Sequence, residues 1–144
     1  MTTKRVLVTG GGGFLGGAIV RLLLSDGITV RSFSRGQYAE LEALGVEQVQ
    51  GDLTDAQAVR RACRDVEAVF HVAARAGVWG KYAAFYGPNV LGTENIIQAC
   101  REAGVQRLIY TSSPSVVFGG MVRRRVGDRF VHPFHIAAAE HHAG

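Results

Sequence analysis

Three observations predict an α/β fold built on a doubly wound parallel sheet. Strand-like and helix-like segments alternate from Arg5 to Thr111, the pattern that yields parallel strands joined by right-handed crossovers. The run from Ala68 to Val72 is apolar except at His71, as in strands buried on both faces. Finally, the short apolar strand Val6-Leu7-Val8-Thr9 runs straight into the glycine-rich turn Gly10-Gly11-Gly12-Gly13-Phe14-Leu15-Gly16 and then into the helical pattern Ala18-Ile19-Val20-Arg21-Leu22-Leu23-Leu24.

Each element follows in order. The first strand covers about Arg5–Thr9. The first helix starts in the glycine turn and ends near Ser25, with Gly27 as its stop. A second strand spans about Thr29–Ser34, a short helix about Tyr38–Leu44, and a third strand about Glu47–Gly51. Asp52-Leu53-Thr54-Asp55 then leads into a helix over about Ala56–Arg64, with Thr54 or Asp55 as N-cap. The fourth strand is Ala68–Val72. A loop over Ala73–Trp79 precedes a long helical region, about Tyr82–Ala103, which Gly104 ends, and the fifth strand is Arg107–Thr111. Five such strands fill the order 3-2-1-4-5, a Rossmann-type arrangement. After Gly120 the apolar residues lose their period, so no sixth strand is assigned. Only a weak helix at Ile136–Glu140 is predicted there.

The 144 residues predict one domain, with roughly two thirds of the unfolded surface buried. Residues 1–120 form its ordered part, and 121–144 are an atypical tail. The formal charge is +4, but the basic residues are scattered apart from Arg123-Arg124-Arg125, which argues against a nucleic-acid partner. No apolar run approaches the length of a membrane span. Cys63 and Cys100, the two cysteines, lack metal-site spacing and read as reduced thiols of a cytoplasmic protein. The chain enters its first strand directly, leaving no room for a signal peptide. His132 and His135 are three apart, and His141 and His142 are adjacent. No acidic or cysteine cluster supports them as metal ligands, so no metal is expected.

The glycine turn satisfies two templates, Gly11/Gly13/Gly16 and Gly10/Gly13/Gly16. Either supplies a tight turn, close backbone approach to a phosphate, and close packing of helix on strand. A strand–turn–helix of this kind sets a dinucleotide pyrophosphate on a helix N-terminus. The second strand ends in Phe33-Ser34-Arg35-Gly36. NAD binders often carry an acid there. Here there is none, and Arg35 suits a ribose 2′-phosphate, so NADP is preferred over NAD.

Five motifs occur in sequence: Thr9-Gly10-x-x-Gly13-x-x-Gly16, Gly51-Asp52-Leu53-Thr54-Asp55, His71-Val72-Ala73-Ala74, Asn89-Val90-x-Gly92-Thr93 and Tyr110-Thr111-Ser112-Ser113. Together they resemble the extended short-chain dehydrogenase/reductase family (NAD-dependent epimerase/dehydratase). Within it, the chain is most similar to the 3β-hydroxysteroid dehydrogenase-like branch, which includes bacterial 2-alkyl-3-oxoalkanoate reductases. The resemblance covers about residues 4 to 120. It implies an NAD(P)-dependent oxidoreductase that transfers hydride between the cofactor and a 3-hydroxy or 3-keto group on a small-molecule alcohol or ketone, steroid-like or long-chain. It also allows a homodimer.

Residue by residue, the resemblance assigns Gly10, Gly13, Phe14 and Leu15 to the pyrophosphate, Arg35 to the adenosine ribose, and Asp52 and Leu53 to the adenine. Ala73 and Ala74 follow the cofactor after the fourth strand, and Asn89 lies in the active-site helix. Ser113 hydrogen-bonds the substrate carbonyl, with Ser112 as the substitute. Simpler readings stand beside these. Asp52 caps a helix, Asn89 starts one after Pro88, and Ser112 and Ser113 satisfy a strand end. His71 reads as the end of a buried strand with its ring hydrogen-bonded. Trp79 and Tyr82 fit core or substrate equally.

The pattern breaks at its chemical step. The family uses a Tyr-x-x-x-Lys pair, the tyrosine as general acid/base and the lysine to lower its pKa, both on one helical face. The matching segment is His135-Ile136-Ala137-Ala138-Ala139-Glu140, with Ile136 at the tyrosine position and Glu140 at the lysine position. Tyr110 is the last tyrosine and Lys81 the last lysine, so no realignment restores the pair. The resemblance therefore implies a chain that is truncated or frameshifted after about residue 120 and lacks the family's later strands and substrate region. Such a chain retains the cofactor-binding apparatus without the catalytic one, either as a non-catalytic NAD(P)-binding module or as an inactive fragment.

Overall fold

Strand β1 (Arg5–Thr9) is the middle strand of a five-stranded parallel sheet, flanked by β2 (Thr29–Ser34) and β3 (Glu47–Gln50) on one side and by β4 (Ala68–His71) and β5 (Arg107–Tyr110) on the other. The structure is a computed structural model. It describes residues 4–72 and 90–111, together with the backbone of two short strands near the C-terminal end. The order is β3-β2-β1-β4-β5, the doubly wound order expected from the alternation of elements.

Helices α1 (Phe14–Ser25), α2 (Ala39–Ala43), α3 (Ala56–Ala62) and α4 (Gly92–Ala103) lie between the strands in the chain. The two faces of the sheet are covered separately, because successive strand residues point to opposite sides. On one face Leu7, Phe33 and Val69 pack with Val59, Ala62, Ile96 and Ala99 of α3 and α4. On the other, Val8 and Val30 pack with Val20 and Leu41 of α1 and α2. Burial on both faces accounts for the apolar run Ala68-Val69-Phe70 in β4.

Local chemistry fixes the ends. Asp55 is the N-cap of α3, its Oδ1 accepting from the amides of Gln57 and Ala58 at 3.1 and 3.2 Å. This settles the choice between Thr54 and Asp55. At the other end of α3, the buried Arg31 of β2 donates Nη1 to the carbonyls of Ala62 and Arg64, both at 2.7 Å, and Nε to Glu47 at 3.0 Å. A cation inside a sheet is tolerable here because it meets a helix C-terminus and a carboxylate together. The α4 helix ends at Gly104 in the left-handed region.

The two cysteines are both buried and unbridged, in the core between α3 and α4. A hydrogen bond from the Cys100 thiol lowers the pKa of Cys63, and the same contact raises that of Cys100. They are distant in sequence yet meet in space.

The chain divides into two compact units, Met1–Tyr110 and Thr111–Gly144. In the second, β6 (Arg125–Val126) pairs antiparallel with β7 (Arg129–Phe130), Arg125 opposite Phe130 and Val126 opposite Arg129. No strand was expected after Gly120. Two-residue strands are too short to leave a period in the sequence, although the intervening Gly127-Asp128 is a dipeptide suited to a tight hairpin. The weak helix at 136–140, residues 82–89 of the long helical region and the four C-terminal histidines lie outside the described residues.

Candidate functional site

The parallel registers bring the carboxyl ends of β1, β2 and β4 into line: Thr9 lies beside Phe33 on one side and His71 on the other, and His71 beside Tyr110 of β5. In an open α/β sheet this is the edge at which ligands bind. The glycine turn leaves β1 at this edge. Gly10 has φ +74°, its amide donates to Phe33 O at 3.0 Å, and its carbonyl accepts from the Gly13 amide at 3.0 Å. A side chain at Gly10 would be strained by that φ.

The other glycines of the turn differ in what they permit. A Cβ on Gly16 would lie on top of the Gly10 carbonyl oxygen, so α1 can start this close to the turn only with glycine there. A Cβ on Gly11 would come within 2.5 Å of Ser32 Oγ, and one on Gly12 within 2.5 Å of the Tyr38 ring. At Gly13 a Cβ would make only an ordinary 3.4 Å contact with Gly10 O. The chain's own packing therefore does not require glycine at 13.

Gly13 is also the N-cap of α1. No side chain caps the helix, and its first turn carries no acid. Its leading amides, which have no partner inside the helix, are left for an outside acceptor, and the helix dipole favours an anion there. Phe14 is 99% exposed and Leu15 half exposed at this mouth. Open space at Gly13 with uncapped amides is what a pyrophosphate requires, so the residues fit the group that the glycine pattern implies.

At the end of β2, Arg35 lies near Asp52, and its charge helps hold the Asp52 carboxyl below the ordinary carboxylate range. The larger cause of that lowering is Thr54, whose amide and hydroxyl donate to Asp52 Oδ1 at 2.9 and 2.8 Å. Asp52 thus closes a turn of its own while Asp55 caps α3, so the reading of Asp52 as the helix cap is replaced. Leu53 is buried, and its carbonyl accepts from Asn95 Nδ2 of α4 at 2.8 Å.

Sequence reasoning missed the props of this edge. Gln48 of β3 receives the Tyr38 amide on Oε1 at 2.8 Å and donates Nε2 to the Tyr38 carbonyl at 3.1 Å. Gln50 donates to the Arg35 carbonyl at 2.7 Å. Their alternation on β3 was the available signal.

At the end of β4, His71 is buried as expected. Its Nδ1 shares a 2.8 Å hydrogen bond with Thr9 Oγ1, its Nε2 a 3.1 Å bond with Thr93 Oγ1, and its ring stacks on Tyr110. Thr9 Oγ1 also accepts from the Val72 amide at 3.0 Å. Burial lowers the His71 pKa from 6.5 to about 4, so the ring is neutral at ordinary pH.

The structure therefore brings Gly10, Gly13, Phe14, Leu15, Arg35, Asp52 and Leu53 to one end of the sheet edge. Ala73, Ala74, Trp79, Tyr82, Asn89, Ser112, Ser113, Ile136 and Glu140 lie outside the described residues. Among the described residues no helix is long and apolar enough to cross a membrane, and no cluster of ligand-type side chains suits a metal ion.

Comparison with known proteins agrees with this arrangement. The 2-alkyl-3-oxoalkanoate reductase of Stenotrophomonas maltophilia is 54% identical over 112 residues, which cover 78% of this chain and 34% of that protein. A 3 beta-hydroxysteroid dehydrogenase/Delta 5→4-isomerase of Mycobacterium tuberculosis is 45% identical over 129 residues, covering 83% of this chain and 35% of that protein. The chain thus spans about a third of the length of these curated relatives. Among solved structures, a short-chain dehydrogenase/reductase superfamily protein from Agrobacterium tumefaciens with bound NAD superposes with a TM-score of 0.69 at 36% identity, covering 78% of this chain and 33% of that one. Residues 7–129 match the family model described as 3-beta hydroxysteroid dehydrogenase/isomerase, and the chain belongs to that family.

Proposed function

We propose that this chain is the NAD(P)-binding part of an oxidoreductase that interconverts 3-hydroxy and 3-keto groups on steroid-like or long-chain substrates. One observation carries the binding half of this reading: the turn at Gly10–Gly16 leaves α1 uncapped and the space at Gly13 open. The names of the relatives support the substrate class. A bound nicotinamide dinucleotide supplies or accepts the hydride. Gly10, Gly13, Phe14 and Leu15 hold its pyrophosphate through backbone amides. Arg35 faces the adenosine ribose, and Asp52, ionised at neutral pH, accepts from the adenine amino group beside Leu53. Ala73, Ala74 and Asn89 continue the site toward the substrate, and the Ser113 hydroxyl donates to the substrate carbonyl oxygen. NADP is preferred because β2 ends in Ser34-Arg35 with no acid. The Agrobacterium neighbour holds NAD, so the preference rests on this chain's own residues. Two unbridged cysteines suit a cytoplasmic setting. A homodimer is compatible with this reading.

A second reading is favoured by Ile136 and Glu140, which stand where the family's tyrosine and lysine are expected. Isoleucine has no proton to give, and a missing positioned acid costs about 10²- to 10⁴-fold in rate. On this reading the chain binds NAD(P) without turning over a ketone. Titration with NADPH and NADH, followed by nicotinamide fluorescence, tests the binding half. Saturable binding that Gly13→Val abolishes, with the melting temperature kept, is expected. No binding at millimolar cofactor would overturn both readings, and ketone turnover in the same sample would overturn the second alone.

A further inference from the structure

The loop after β2 carries a second aromatic feature beside Arg35. Tyr38 folds back so that its ring rests on Gly12, where even a methyl group would overlap it, and its phenol end comes near Gly36. The ring therefore bridges the glycine turn, which holds the pyrophosphate in the reading above, and the loop after β2, which faces the adenosine ribose there. It is not spent on the core: Tyr38 remains 41% exposed.

The backbone beneath the ring is fixed unusually tightly for an exposed loop. The Gln48 amide engages both the Tyr38 amide and the Tyr38 carbonyl, so one side chain sets the position and direction of that residue. Gln50 ties down the Arg35 backbone through one hydrogen bond, donated to its carbonyl. A guanidinium and a phenol hydroxyl, each on a backbone pinned to β3, thus stand on the same loop. Both are donors suited to a phosphate monoester.

We propose that Tyr38 is a specificity-determining residue that, with Arg35, recognises a 2′-phosphate on the adenosine ribose, and that Gln48 is its positioning residue. The inference rests on the reading of Arg35 as the residue facing that ribose. It adds that a flat ring seated on Gly12 walls the ribose and presents its hydroxyl to the phosphate.

Binding of 2′,5′-ADP against 5′-AMP, and of NADPH against NADH, isolates the effect, because each pair differs only in the 2′-phosphate. The wild-type chain is expected to prefer the phosphorylated member of each pair. Tyr38→Phe removes one donor and keeps the ring, and it should lower that preference about tenfold, the loss of one hydrogen bond to a charged group. Affinity for 5′-AMP and NADH should stay unchanged. Gln48→Leu should lower the preference in the same direction by less. A purely structural role for either residue would weaken all four ligands alike and leave the ratios where they are. A preference that survives Tyr38→Phe overturns this inference and leaves the Arg35 reading standing. One that falls in Tyr38→Phe but is untouched in Gln48→Leu overturns the positioning role alone. A wild-type chain without any preference overturns the Arg35 reading and this inference together.

Discussion

The carboxyl ends of β2 and β4 lie on the same edge of one sheet, yet they are held in opposite ways. Beyond β2, the segment from Arg35 to Tyr38 is tied down by exposed hydrogen bonds from Gln48 and Gln50, side chain to backbone. At β4, a buried ring joins Thr9 of β1 to Thr93 of α4, side chain to side chain. The first arrangement leaves donors facing solvent, where a ligand can be read. The second seals the sheet and fixes the relative height of β1, β4 and α4. Changes beyond β2 should therefore alter recognition at little cost in stability, and changes at His71 should do the reverse.

The largest effect is expected at the turn that both regions share. Gly16→Ala puts a methyl group onto the Gly10 carbonyl, a backbone collision that no side-chain rotation relieves. It should cost on the order of 4 kcal/mol or more, enough to remove the folded state from a marginally stable domain. Gly13→Ala, three residues earlier, meets only an ordinary contact and should stay within about 1 kcal/mol of wild type. Urea unfolding of the two variants checks the contrast, and similar midpoints would break the assignment of Gly16 to packing and Gly13 to a ligand.

The knot at His71 gives the next effect, readable as a pH dependence. The folded chain protonates this ring near 4, because burial opposes the charge, whereas the unfolded chain does so at 6.5. Between those values unfolding takes up a proton, so stability falls as pH falls from 6.5 and levels off below 4. The full loss is about 3 kcal/mol. The lowered Asp52 titrates below 3.8 and stays outside this window. Denaturant midpoints between pH 7 and 4.5 should fall in the wild type and hold steadier in His71→Gln. A parallel fall in both would remove His71 as the cause.

A smaller loss, about 1 kcal/mol, is expected for Asp55→Ala, which strips two amides at the start of α3 of their acceptor. Asp55→Asn keeps the acceptor and should recover most of it. Because α3 packs on the far side from α1, cofactor affinity should be untouched in either variant, as thermal melts run beside a fluorescence titration would show.

Much of this was readable from the residues. The order of strands followed from the alternation of elements, and the turn from its glycines, because both are local signals with a fixed period or spacing. His71 was recognised as the buried, hydrogen-bonded end of a strand. What escaped depended on distant partners. Nothing near Cys63 indicates Cys100, nothing near Tyr38 indicates Gly12, and the roles of Gln48 and Gln50 exist only once β3 lies beside β2. The short ladder at Arg125–Phe130 escaped because two residues per strand carry no pattern.

The smallest stability effect tests the comparison most sharply. Gln48→Leu removes both hydrogen bonds that hold the Tyr38 backbone. These bonds are exposed, so water replaces them, and the change should be below about 1 kcal/mol. If the end of β2 is built for recognition, this nearly silent substitution still shifts the ratio of NADPH to NADH affinity. His71→Gln, far costlier to the fold, leaves that ratio where it was. Measuring both quantities on both variants gives a two-by-two outcome. A Gln48→Leu chain that loses stability as His71→Gln does, with its cofactor ratio intact, would mean that the two ends of the sheet edge do the same structural job.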